Sequence, residues 1–115
     1  MTDNKNQLRE DAIEFAIQIS DLCDEIKGCS DYVNQIVRSS SSIGANIHEA
    51  KYAQSKADFI NKLSIALKEA DETSYWIELL LESEIIDKQQ YDEINKDLKE
   101  IIAILTSSIK TLKSK

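Results

Sequence analysis

Apolar residues recur along most of this chain at spacings of three and four, the period of an amphipathic helix. Leu8, Ala12, Phe15, Ala16, Ile19, Cys23 and Ile26 form the first stripe and predict a helix over 6–27. Gly28 follows as a stop, since glycine takes the left-handed conformation without strain. Ser30 is then expected to cap a second helix over 31–50, with Asp31 against the positive end of its dipole. The second stripe, Val33, Ile36, Ser40, Ile43, Gly44, Ile47 and Ala50, is low in bulk around Ser40 and Gly44 and predicts a close approach of a neighbouring helix. Ser55 with Asp58 reads as a capping box that starts a third helix over 55–83. Asp87 with Gln90 is a second box, and Ile86 with Tyr91 is a hydrophobic staple at the start of a fourth helix over 88–112. That last helix carries one clean stripe: Tyr91, Ile94, Leu98, Ile101, Ile102, Leu105, Ile109 and Leu112.

The third helix differs from the others. One face, Phe59, Ile60, Leu63, Ala66, Leu67, Ala70, Ser74, Ile77 and Leu81, is a core stripe. Its other side sets Ile65, Trp76, Leu79 and Leu80 among Lys62, Glu69, Glu72 and Thr73, and the chain's one tryptophan is there. An antiparallel bundle needs one apolar face per helix, so the second face predicts an oligomer interface made by Lys62, Ile65, Glu69, Thr73, Trp76 and Leu80. On the second helix, Arg38, Ser42, Asn46 and Glu49 form a polar row expected to be satisfied across a helix–helix seam. Asn46 is otherwise a poor residue for mid-helix.

Composition narrows the class. The 115 residues suit one domain, 1–115, and with no proline and two glycines they favour an all-α fold over a turn-rich sheet. Four helices joined by short connections imply an antiparallel up-down-up-down four-helix bundle. No apolar run is long enough to span a membrane, and the polar first residues lack a secretory signal, so the cytoplasm is the expected location. Net charge is −7, yet between Arg38 and Lys68 five bases (Arg38, Lys51, Lys56, Lys62, Lys68) stand against two acids. Those five are the candidate RNA contacts, although the acidic whole argues against a protein that coats nucleic acid.

Chemistry is sparse. Cys23 and Cys29 are neither at a metal spacing nor a disulfide framework, and are expected to be ordinary structural thiols. His48 is the single histidine, too few for Glu-x-x-His pairs on two helices. Glu69 and Glu72, at i and i+3, are a carboxylate pair that could bind a cation or serve as acid and base, though two carboxylates on an acidic chain are commonplace. No catalytic, cofactor-binding or metal-binding set is predicted, and no small-molecule substrate is evident.

One stretch is more distinctive than its composition. Ser42-Ile43-Gly44-Ala45-Asn46-Ile47-His48-Glu49-Ala50, followed by Ser55–Ala70 and ending in Tyr75-Trp76, resembles the bacterial four-helix-bundle family of ribosomal-RNA intervening-sequence proteins. Many members have Glu-Gly where this chain has Glu49-Ala50. The resemblance implies a ring-like homopentamer of undefined role. A similar fold serves as an accessory protein of diversity-generating retroelements, a basic pentamer that engages nucleic acid, and this acidic chain departs from that character. The expected function is therefore a non-enzymatic homo-oligomeric scaffold, with an RNA-binding or ribosome-associated accessory protein as the alternative.

Overall fold

The computed structural model describes the backbone of residues 2–114 and the side chains of residues 7–114. Four helices account for nearly all of it: α1 (Thr2–Glu25), α2 (Ser30–Ala50), α3 (Lys56–Glu82) and α4 (Lys88–Lys113). They form an all-α bundle in which α1 packs on α2, α2 on α3, α3 on α4 and α4 back on α1, with the α2–α3 pair sharing the most surface. Cross-helix partners give the directions. Lys62 meets Glu49 while Thr73 meets Ser39, so position rises on α3 as it falls on α2, and the two run antiparallel. Gly44 faces Ala12 and His48 faces Arg9, which sets α1 antiparallel to α2. The molecule measures 45 × 21 × 20 Å. A 26-residue helix is about 39 Å long, so α4, after a short turn, has room only to return alongside α3.

Local sequence chemistry explains the ends. The α4 capping box is complete: Asp87 Oδ1 accepts from Gln90 N–H at 2.8 Å and Gln90 Oε1 from Asp87 N–H at 2.9 Å. At α3, Ser55 accepts from Asp58 N–H at 3.0 Å, but Asp58 reaches back one residue further than expected, accepting from Gln54 N–H at 3.3 Å. Gly28 is left-handed as expected, with φ +82°. Ser30 is not a cap. It already lies inside α2, and Cys29, also left-handed at φ 52°, occupies the cap position without a side-chain hydrogen bond. The paired left-handed residues turn the chain sharply enough that helical geometry begins one residue early. The α3 C-terminus is a Schellman motif with Glu84 in the glycine position at φ 61°, Ile85 N–H bonding to Leu80 C=O at 2.9 Å and Glu84 N–H to Leu81 C=O at 3.0 Å.

The core runs the length of the bundle. Phe15, Ile19, Ile36, Ile43, Ile77, Leu80, Leu98, Ile101 and Leu105 are all under 2% exposed, and each such side chain contributes about 1.5–3 kcal/mol of burial. On α3 the buried stripe is Leu63, Ala66, Ala70, Thr73, Ile77 and Leu80, turned toward α2 relative to the predicted face. Ser74 and Leu81, expected in the core, are half-buried instead. Cys23 is buried and Cys29 exposed, and burial, then the neighbouring Asp24, pushes the Cys23 thiol up. Among the described residues no helix is long and apolar enough to cross a membrane.

Candidate interaction surface

The α2–α3 seam gathers most of the residues that the sequence marked for chemistry or assembly. Arg38 on α2 forms ion pairs with Glu69, at 3.2 Å, and with Glu72 on α3. The Trp76 indole N–H donates to Glu72 Oε2 at 3.1 Å, and its ring lies against Tyr32 of α2 with centroids 6.3 Å apart. That indole hydrogen bond, opposed by partial burial and aided by Arg38, holds the Glu72 carboxyl below its ordinary range. Burial disfavours the Arg38 cation, but hydrogen bonds to Glu72 and Glu69 outweigh it and raise its pKa. Further along, Lys62 pairs with Glu49 at 3.0 Å, and that hydrogen bond raises the Lys62 pKa. Beside the Arg38 group lies a hydroxyl pair: Thr73 Oγ1 is 2.9 Å from Ser39 Oγ and 2.8 Å from the Glu69 carbonyl, and both residues are fully buried.

Two of the six residues expected at an oligomer interface on α3, Thr73 and Leu80, lie in the chain's own core at 0% exposure. Lys62 and Glu69 pair with Glu49 and Arg38 of α2, and the Trp76 indole N–H is taken by Glu72 one turn back on α3. Ile65 alone of the six expected interface residues makes none of these contacts, and it is half-buried. The apolar and charged residues of that side serve the broadest helix–helix contact of the bundle, which a helical period alone does not distinguish from a partner's surface. The polar row divides. Arg38 and Glu49 reach α3, whereas Ser42 Oγ donates to the Arg38 carbonyl at 2.9 Å and Asn46 Nδ2 to the Ser42 carbonyl at 2.8 Å, both within α2. Such bonds to the carbonyl four residues back satisfy short polar side chains without a partner helix.

The remaining candidates do not converge. Glu69 and Glu72 are an ion-pair cradle for Arg38, which disarms them as an acid–base couple. His48 is exposed, with Nδ1 3.4 Å from Arg9 Nε and its ring edge-on to Tyr52 at 5.7 Å. Of the five candidate RNA contacts, Arg38 and Lys62 are neutralised by carboxylates, and Lys51 lies 5.8 Å from the centre of the Tyr52 ring. Among the described residues no group of His, Cys, Asp or Glu has the arrangement to hold a metal ion.

Apolar surface is exposed elsewhere on the helices. Ile13 and Ile17 of α1 are 41% and 56% exposed, and Val37 of α2 is 41% exposed. The α1–α2 register fixed by Ala12–Gly44 brings the level of Ile17 close to that of Val37. Tyr75 on α3 is 58% exposed and stacks edge-on against Trp76 at 5.2 Å.

The match to the model of the 23S rRNA-intervening sequence protein family extends over residues 4–107. The chain belongs to that family. It is also similar, at 49% identity, to a protein of unknown function from the S23 ribosomal protein family of Bacteroides thetaiotaomicron VPI-5482, whose crystal structure was determined at 1.70 Å. The alignment covers 93% of this chain and 98% of that one, with a TM-score of 0.87. No curated protein matches. In this intervening-sequence protein the exposed aliphatics of α1 were detectable beforehand: Ile13 and Ile17 stand four apart, opposite the Leu8–Ile19 stripe.

Proposed function

We propose that this family member is a non-enzymatic assembly module that works in the cytoplasm as a homo-oligomeric scaffold, with five copies as the family resemblance implies. The observation that carries the reading is the aliphatic surface at Ile13, Ile17 and Val37, which the chain's own packing leaves in water. Contiguous exposed aliphatics of this kind mark association surfaces more often than isolated ones do. The absence of chemistry at the seam points the same way, since its one carboxylate pair is taken up by Arg38 and Trp76. RNA binding through Arg38, Lys51, Lys56, Lys62 and Lys68 is the weaker reading, because two of the five positive charges are already compensated within the fold. Light scattering coupled to gel filtration at tens of micromolar tests the proposal, and the expected mass is a multiple of the single chain. A monomer at that concentration overturns it. Submicromolar binding to rRNA fragments that weakens steeply with salt would favour the accessory-protein reading instead.

A further inference from the structure

The outer faces of α1 and α4 differ sharply in charge. On α1, Glu10, Ile13, Ile17 and Asp21 fall within about 80° of arc at 100° per residue, opposite the buried Leu8–Ala12–Phe15–Ile19 stripe, and all four are exposed. On α4, Lys99, Ala103, Thr106 and Lys110 occupy a similar arc opposite Ile94, Leu98, Ile101 and Leu105, and all four are again exposed. Among the described residues neither Lys99 nor Lys110 forms an ion pair, nor does Glu10 or Asp21. The spacings also match. Glu10 and Asp21 are eleven residues apart, as are Lys99 and Lys110, about 16 Å along either helix. Between the acids stand two protruding isoleucines. Between the lysines lie an alanine and a threonine, small enough to leave a depression between two long side chains.

From this we infer that the α1 face of one copy docks on the α4 face of a second copy, with Ile13 and Ile17 seated over Ala103 and Thr106 and the acids opposite the lysines. The inference rests on the self-association reading and names its two surfaces. Sign, spacing and relief all argue for a second copy as the occupant. Made once between any two copies, a contact between two different faces is heterologous and propagates around a ring. The charge pairs at the ends set register and discriminate against wrong pairings, while the covered isoleucines supply affinity.

Charge reversal tests it, because every substituted side chain is exposed. Glu10→Lys/Asp21→Lys and Lys99→Glu/Lys110→Glu should each weaken association about tenfold or more and shift the particle toward the single chain, with circular dichroism still helical. Ile13→Ser/Ile17→Ser should do the same. The fourfold variant with both faces reversed should re-form the wild-type particle, because complementarity returns with opposite sign. If a reversal unfolds the chain, Lys99→Gln/Lys110→Gln carries the same expectation in smaller measure. A wild-type monomer overturns self-association itself. A wild-type oligomer unmoved by these variants overturns only the choice of faces, as does loss on lysine reversal without loss on isoleucine substitution.

Discussion

The buried hydroxyl pair of the α2–α3 seam gives a sharp energetic test. Ser39 and Thr73 are both fully buried, and Thr73 Oγ1 lies 2.9 Å from Ser39 Oγ and 2.8 Å from the Glu69 carbonyl. A hydroxyl has one proton, so the arrangement that satisfies both has Thr73 donating to Glu69 C=O and Ser39 donating to Thr73. Thr73→Val leaves Ser39 with the Ile36 carbonyl at 3.4 Å, at the limit of a useful hydrogen bond. The expected cost is about 1–2 kcal/mol for a buried hydroxyl poorly satisfied. Ser39→Ala leaves Thr73 its Glu69 bond, so the loss is smaller, about 0.5–1 kcal/mol. In the double variant no polar atom is stranded, and its loss should fall short of the sum of the singles by about 0.5–1.5 kcal/mol. Urea denaturation followed by circular dichroism at one fixed protein concentration measures the cycle, since association would otherwise shift apparent stability. Strict additivity, or a double variant worse than the sum, refutes the claim that the two hydroxyls satisfy each other.

Gly44→Ala should stabilise the protein by up to about 1 kcal/mol: a Cβ there would meet Ala12 Cβ at 3.6 Å, an ordinary contact, and a lower urea midpoint would show that the helices are closer than this. Glu84→Gly should also stabilise, by about 1 kcal/mol, because residue 84 sits at φ 61°; an unchanged or lower melting temperature counts against it. Glu72→Gln should be less stable than wild type at pH 7, and the gap should close on acidification. Because the folded Glu72 pKa is depressed, its contribution is complete above the ordinary carboxylate range and is lost as pH falls through the folded value. A gap that stays constant from neutral pH down to pH 3, read by urea midpoints, would remove Glu72 from that role.

Features decided within a few residues were legible in the sequence. The Asp87–Gln90 box and the Gly28 stop depend on neighbours in the chain, and the structure has both. The stripe of α4 was legible too, because the helix has one apolar side and so one way to face the core. On α3 two sides carry apolar residues, and rotation about the axis is settled by α2, whose contribution lies 31 to 34 residues away in sequence: Arg38 for Glu69 and Glu72, Ser39 for Thr73. A helical period gives faces but not neighbours. For the same reason the polar row of α2 was visible as a row, yet which members cross the seam was not. Ser42 and Asn46 bond within their own helix, while Arg38 and Glu49 reach α3. Since Ser39 crosses the same seam to Thr73, the direction a residue faces and not its length decides.

The same pairing governs where the molecule's charge acts. Counted along the chain, the bases cluster between Arg38 and Lys68, which drew attention to that segment. In three dimensions at least two of them are cancelled by Glu49, Glu69 and Glu72, whereas Lys99 and Lys110 of α4 are exposed and form no ion pair among the described residues. The acids segregate as well, with Glu10 and Asp21 on the exposed face of α1. Two α1 faces brought together would place like charges opposite one another, and so would two α4 faces. Both two-fold arrangements are therefore penalised, and only the unlike pairing brings acids to lysines. Neither face taken alone is self-complementary. Each copy carries both halves of the unlike pair on different helices, and where its two faces engage two different copies, one acidic and one basic face stay open after every addition until the last copy meets the first.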